Sequence, residues 1–212
     1  MLIPRNNTPW KKSRKFGDVM GGRTHPKIAD RVFNRKHNLT APTEGTVLPI
    51  FITDNPSRDF YFPISTDDIQ AALDRLPAEH TQHLTHVWLQ KFRKSDYQEG
   101  ETIQGCFIRG SGVCLIVLHP FPKDLKMRFG KEKPSNSKVK YYQPFDPSLG
   151  EDKLGWYLLW DEKEIRRYYL DSLLLYLVGF AVADSHGLYQ GKAHVAKSEK
   201  WAENYAKVWG KG

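Results

Sequence analysis

The pattern of apolar and polar positions changes character several times along this 212-residue chain. Through residues 1–45 no apolar periodicity persists. Pro, Gly, Asn, Lys and Arg dominate, which predicts an extended arm, and only 27–34, with Ile28, Ala29, Val32 and Phe33, has the spacing of a short helix. The apolar run from Val47 to Thr53, bounded by Gly45 and Asp54, reads as a strand or as an arm docked in extended form. A helix begins at Ser65, whose hydroxyl is placed to cap it. Asp68 falls in the first turn, Ile69, Ala72, Leu73 and Leu76 recur at helical spacing, and Pro77 helps to end it. Three strand-like runs follow, from Thr85 to Phe92, Thr102 to Arg109 and Val113 to His119. Gly110-Ser111-Gly112 between the last two suits a tight turn with positive φ and predicts an antiparallel hairpin.

Residues 120–150 are rich in Pro, Gly, Ser and Lys and read as a long loop with a basic patch at Lys123, Lys126, Arg128, Lys131 and Lys133. Gly155 to Trp160 is strand-like, and Asp161 is placed to cap a helix starting at Glu162. From there Ile165, Tyr168 or Tyr169, Leu173, Tyr176, Val178 or Gly179, Phe180 and Ala183 draw one long apolar stripe that widens until the helix is apolar nearly all round. Such a helix belongs at the centre of the fold. A last helix, Ser198 to Trp209, presents Trp201, Ala202, Tyr205 and Ala206. The sum is an α+β class, with one small mixed or antiparallel sheet packed against helices over 46–212 and a basic extended arm over 1–45.

The apolar run inside the central helix raises the question of a membrane span. Asp171 and Asp184 enclose only twelve positions, whereas a span needs roughly 18 or more uncharged apolar residues. The stretch therefore reads as a buried helix, and no membrane partner is expected. The opening residues have no apolar h-region or small-residue cleavage site, so a cytoplasmic location is the default expectation. Cys106 and Cys114 flank the predicted hairpin turn and read as small buried apolar groups in a reduced compartment.

Net charge is +8, and its distribution matters more than its size. Residues 1–45 hold ten Lys and Arg against three acids, while the remaining 167 residues hold 22 against 21. Trp10 and Phe16 interleave with this basic stretch. Either they stack on bases while Lys11, Lys12, Arg14, Lys15 and Arg23 track phosphates, or they pack on the domain behind a solubilising tail.

Tyr176-Leu177-Val178-Gly179-Phe180, followed by Asp184, and then Glu199-Lys200-Trp201-Ala202-Glu203-Asn204-Tyr205-Ala206 form an ordered pair of phrases on consecutive helices. They resemble the small bacterial zincin-like metallopeptidase domains of the minigluzincin kind. In that family a helix with H-E-x-x-H, often H-E-x-G-H, precedes a helix with E-x-x-A-x-x-Y-A. The two His and a third ligand hold zinc, and the Glu activates its water. Aligned at Gly179, Tyr176 and Phe180 stand where the imidazoles would be and Leu177 where the general base would be; Glu199 keeps the later carboxylate. The resemblance spans roughly residues 60–210. It implies a zincin-like frame without catalytic groups, metal or cofactor: a pseudoenzyme serving as a binding or accessory protein.

Other histidines offer alternatives. His80, His83 and His86 recur every third residue, but His86 enters a strand; His186 and His194 lie after the central helix, within conceivable reach of Glu199. A metal-dependent hydrolase with these displaced ligands is one rival reading. A module for an acidic protein partner, docking on the arm or on lysines 123–140, is another. Arg166 and Arg167 read as a solvated helix face. There is no P-loop, G-x-S-x-G or dinucleotide fingerprint.

Overall fold

Short, continuously buried runs and one tight turn organise the main sheet. The computed structural model describes residues 39, 41–91, 104–110, 112–187 and 195–210, so most of the predicted arm lies outside the described residues. Strands β1 (Ile50–Thr53), β3 (His86–Leu89), β4 (Gly105–Gly110) and β5 (Val113–Leu118) form a four-stranded sheet in the order β1-β3-β5-β4. β1, β3 and β5 run parallel, and β4 returns antiparallel along the edge. Gly110 pairs with Val113, and Gly112 takes φ +75°, the conformation that the glycine-rich turn supplies at no steric cost. The predicted hairpin is therefore present, but within a mixed sheet.

The connection from β1 to β3 carries β2 (Phe60–Tyr61), helix α1 (Thr66–Asp74) and the single turn α2 (Ala78–Thr81). α1 starts where the sequence places it. Ser65 Oγ accepts from the Asp68 N–H at 3.1 Å, and Asp68 Oδ2 accepts from the Ser65 N–H at 2.8 Å, a reciprocal capping box. Its face of Ile69, Ala72 and Leu73 is buried.

The 120–150 region is not a long loop. It holds β6 (Phe121–Pro122, paired with β2), β7 (Lys126–Gly130), helix α3 (Asn136–Tyr142), a 3₁₀ turn over Gln143–Phe145, and β8 (Ser148–Asp152). With β9 (Gly155–Leu159), β7 and β8 make an antiparallel sheet in the order β7-β9-β8, so the described residues form three sheets where the sequence predicts one. Lysines hid the strand: in Lys126-Met127-Arg128 the charged residues point outward while Met127 is fully buried against Leu158.

One continuous helical run follows Asp161, whose carboxylate caps it by accepting from the Lys163 N–H. It comprises α4 (Glu162–Tyr168), a π-helical stretch (Tyr169–Leu174) and α5 (Leu175–Ser185). The wider π turn lets both Tyr168 and Tyr169 face inward. Tyr168 joins an aromatic cluster with Tyr142, Phe145 and Trp160, and the Tyr169 hydroxyl donates to the His119 carbonyl at 2.8 Å. α5 is buried along nearly its whole length, and α6 (Val195–Trp209) packs beside it. Among the described residues no helix is long and apolar enough to cross a membrane.

Candidate functional site

Three elements meet where the zincin-like resemblance implies a reaction centre: α5, α6 and the edge strand β4. α5 approaches the sheet closely because Gly105 has no side chain; a Cβ there would fall 2.7 Å from the Val117 carbonyl oxygen and 3.1 Å from Leu177 Cδ1. Leu177 fills that space and is buried. Phe180 stacks on Phe107 of β4 with ring centroids 6.3 Å apart and planes 12° apart, and Tyr176 meets Phe180 edge-on at 5.0 Å. On its other side α5 touches α6 at Gly179, where a Cβ would come within 2.9 Å of Ala202 Cα and 3.1 Å of Tyr205 Cβ. Small and aromatic positions of the second phrase thus serve close helix packing.

These side chains do not fit a zinc ion. Leu177 and Phe180 offer no lone pair, and Glu199 is exposed while Ala202, Tyr205 and Ala206 of its phrase are buried. Among the described residues no group of three or more His, Cys, Asp or Glu is placed to hold a metal. Of the displaced set, only His186 and Glu199 are among the described residues. His186 Nδ1 donates to the Val182 carbonyl at 2.8 Å, finishing α5, and His194 lies outside the described residues. The His80, His83 and His86 series is split three ways. His80 Nδ1 meets the Tyr205 hydroxyl at 2.8 Å, His83 is exposed, and His86 is buried in β3. Thr85 gives its one hydroxyl proton to the Cys114 carbonyl, so His86 Nδ1 must be the donor in its 2.9 Å contact with Thr85 Oγ1. Burial lowers the pKa of His86 and keeps it neutral.

A feature that no motif announces lies at the turn end of the hairpin. A cleft of about 330 Å³ is lined by residues of β4, β5, the α5 terminus and the approach to β3, among them Arg109, Cys114, Asp184, Thr85 and His83. Arg109 Nη1 donates to Asp184 Oδ2, tying the edge strand to the end of α5; Asp184 is nearly enclosed and Arg109 largely open. Burial, with help from Asp184 and against Arg109, pushes the Cys114 thiol up to about 12. A thiol that stays protonated at neutral pH is a poor nucleophile. The cleft therefore offers one half-open guanidinium for an anionic or polar group rather than nucleophilic chemistry. Its parts are 75 positions apart in sequence, which is why linear spacing misses it.

Two of the five residues of the predicted basic patch, Lys126 and Arg128, are matched by acids. Lys126 Nζ lies 2.8 Å from Asp152, Arg128 bonds both Asp152 and Asp124, and the Lys126 ammonium sits 4.1 Å over the Tyr157 ring. Arg166 pairs with Asp68, and Arg167 with Glu164 and the Pro144 carbonyl, as expected of a helix face rather than a phosphate clamp. Trp10, Lys11, Lys12, Arg14, Lys15 and Arg23 lie outside the described residues. Comparison with known protein families, curated proteins and solved structures finds no match to the chain.

Proposed function

We propose that this chain is a non-catalytic binding or accessory protein, a zincin-like pseudoenzyme that engages nucleic acid or a nucleoprotein complex through its basic N-terminal residues. The observation that carries this reading is the placement of charge. Seven of the eight excess positive charges fall in residues 1–45. In the folded body, Arg109, Lys126, Arg128, Arg166 and Arg167 each have a carboxylate partner. Attraction for a polyanion is therefore concentrated at the N-terminal end. The packing of Tyr176, Leu177 and Phe180 supports the non-catalytic half of the proposal, because Leu177 and Phe180 hold α5 to the sheet and Tyr176 packs edge-on against Phe180.

The test is a binding titration with labelled single-stranded and duplex oligonucleotides as salt is raised. With about five phosphate contacts from Lys11, Lys12, Arg14, Lys15 and Arg23, affinity falls about 10²–10³-fold between 50 and 200 mM salt. Replacing those five by Gln abolishes binding. Trp10→Ala weakens it by about 1–3 kcal/mol if the indole stacks on a base. Binding that ignores salt, or survives the fivefold replacement, contradicts the proposal.

A further inference from the structure

Arg109 is held by one nitrogen. Nη1 donates to Asp184 Oδ2, and among the described residues Nε and Nη2 have no hydrogen-bond partner. Those two nitrogens form the edge whose parallel N–H groups match the two oxygens of a carboxylate. Arg128 and Arg167 are spent differently: the two Nη atoms of Arg128 go to Asp152 and Asp124, and those of Arg167 to Glu164 and the Pro144 carbonyl. The Arg109–Asp184 pair is also lopsided. The guanidinium side chain is 59% exposed and the carboxylate side chain 9%, so the pair turns its positive member outward.

The cleft that Arg109 lines, of about 330 Å³, is at the small end of the range in which ligand pockets fall. Cys114 stands opposite Arg109 in the strand register, and burial keeps its thiol protonated, so no thiolate competes there. The Thr85 hydroxyl is committed in both directions, donating to the Cys114 carbonyl and accepting from the Cys114 N–H. The carboxyl end of α5 would oppose an anion, but its Val182 carbonyl is taken up by the His186 N–H and by Ser185 Oγ. Asp184 already matches one charge of the site. A singly charged group is therefore favoured over a doubly charged phosphate ester, whose second charge adds repulsion from Asp184. We propose that this cleft binds a small organic monocarboxylate, with its two oxygens on Arg109 Nε and Nη2 and its carbon body beside Cys114.

The site is independent of the nucleic-acid reading, and its test uses no oligonucleotide. Benzoate is titrated into the full chain, in a buffer free of other carboxylates and of phosphate, and followed through the arginine Nε–Hε NMR signals. Saturable binding with a Kd on the order of 1–10 mM is expected. The Arg109 Hε signal moves downfield as it gains an acceptor. Benzamide, which has the same shape without the charge, binds at least about tenfold more weakly, and phenyl phosphate several-fold more weakly than benzoate. Arg109→Lys keeps a cation for Asp184 but removes the paired N–H edge, and weakens benzoate by about tenfold or more. The absence of saturation, a stationary Arg109 Hε signal, or unchanged affinity in Arg109→Lys overturns the proposal. Benzamide or phenyl phosphate binding as tightly as benzoate overturns it equally. The Hε signal and the three-probe comparison are read in the unaltered protein, so they decide the matter even where the lysine variant fails to fold.

Discussion

Around the four-stranded sheet the contacts are hydrocarbon on hydrocarbon, whereas on the outer face of the three-stranded sheet they are charge on charge. The first region joins α5 to β4 and α6 through Leu177, Phe180 and Gly179, with no room for an added atom at Gly105 or Gly179. The second sets Lys126 and Arg128 around Asp152, all partly open to water. The difference teaches where each kind of residue is replaceable. Close packing tolerates neither added nor lost volume, while partly exposed ion pairs are screened and individually worth little.

Changes that break the packed region have the largest effect. Phe180→Ala removes a buried ring stacked on Phe107 and is expected to cost about 3–4 kcal/mol, measured by urea unfolding. Gly179→Leu forces α5 and α6 apart and costs about 3 kcal/mol. A loss below about 1 kcal/mol in either would show that the junction is loosely packed. At the boundary of the two regimes, Arg109→Ala leaves the enclosed Asp184 carboxylate without its guanidinium and costs about 1–2 kcal/mol; Asp184→Asn in the same background recovers part of it.

The smallest effect belongs to the charged sheet and is best seen as a function of pH. Lys126 first, then the Leu154 N–H and Arg128, hold the Asp152 carboxyl down to about 2. A carboxyl depressed in the folded state contributes stability that is complete above its unfolded pKa of about 4 and is lost as pH falls toward 2. Asp152→Asn should therefore flatten part of the acid limb between about pH 4 and 2 and leave the slope near pH 7 unchanged. An identical acid limb in the variant would mean the pair does not form in solution.

Local chemistry made much of the fold legible. Ser65 with Asp68, the Gly110–Gly112 turn and Asp161 each set a boundary through groups only a few residues apart, and the structure keeps all three. Strand β7 was obscured because its outward residues are Lys126 and Arg128, so composition outweighed a period-two pattern only five residues long. The ambiguity between Tyr168 and Tyr169 has a physical reason too: a π-helical stretch breaks the 3.6-residue period there, and both rings are buried. Parallel pairing of β1, β3 and β5, and the meeting of Arg109 with Asp184, depend on long-range topology that no local spacing encodes. The positions singled out at 176, 177 and 180 do come together, but as packing; Glu199 stays at the surface.

The most direct measurement of whether this junction is a packed core rather than a reaction centre is the thermal unfolding of Tyr176→His, Leu177→Glu, Phe180→His, with and without zinc. Replacing buried apolar contacts by unsatisfied polar groups should lower Tm by about 10 °C or more without metal, with any recovery requiring zinc. An unchanged Tm in the absence of metal would contradict the account.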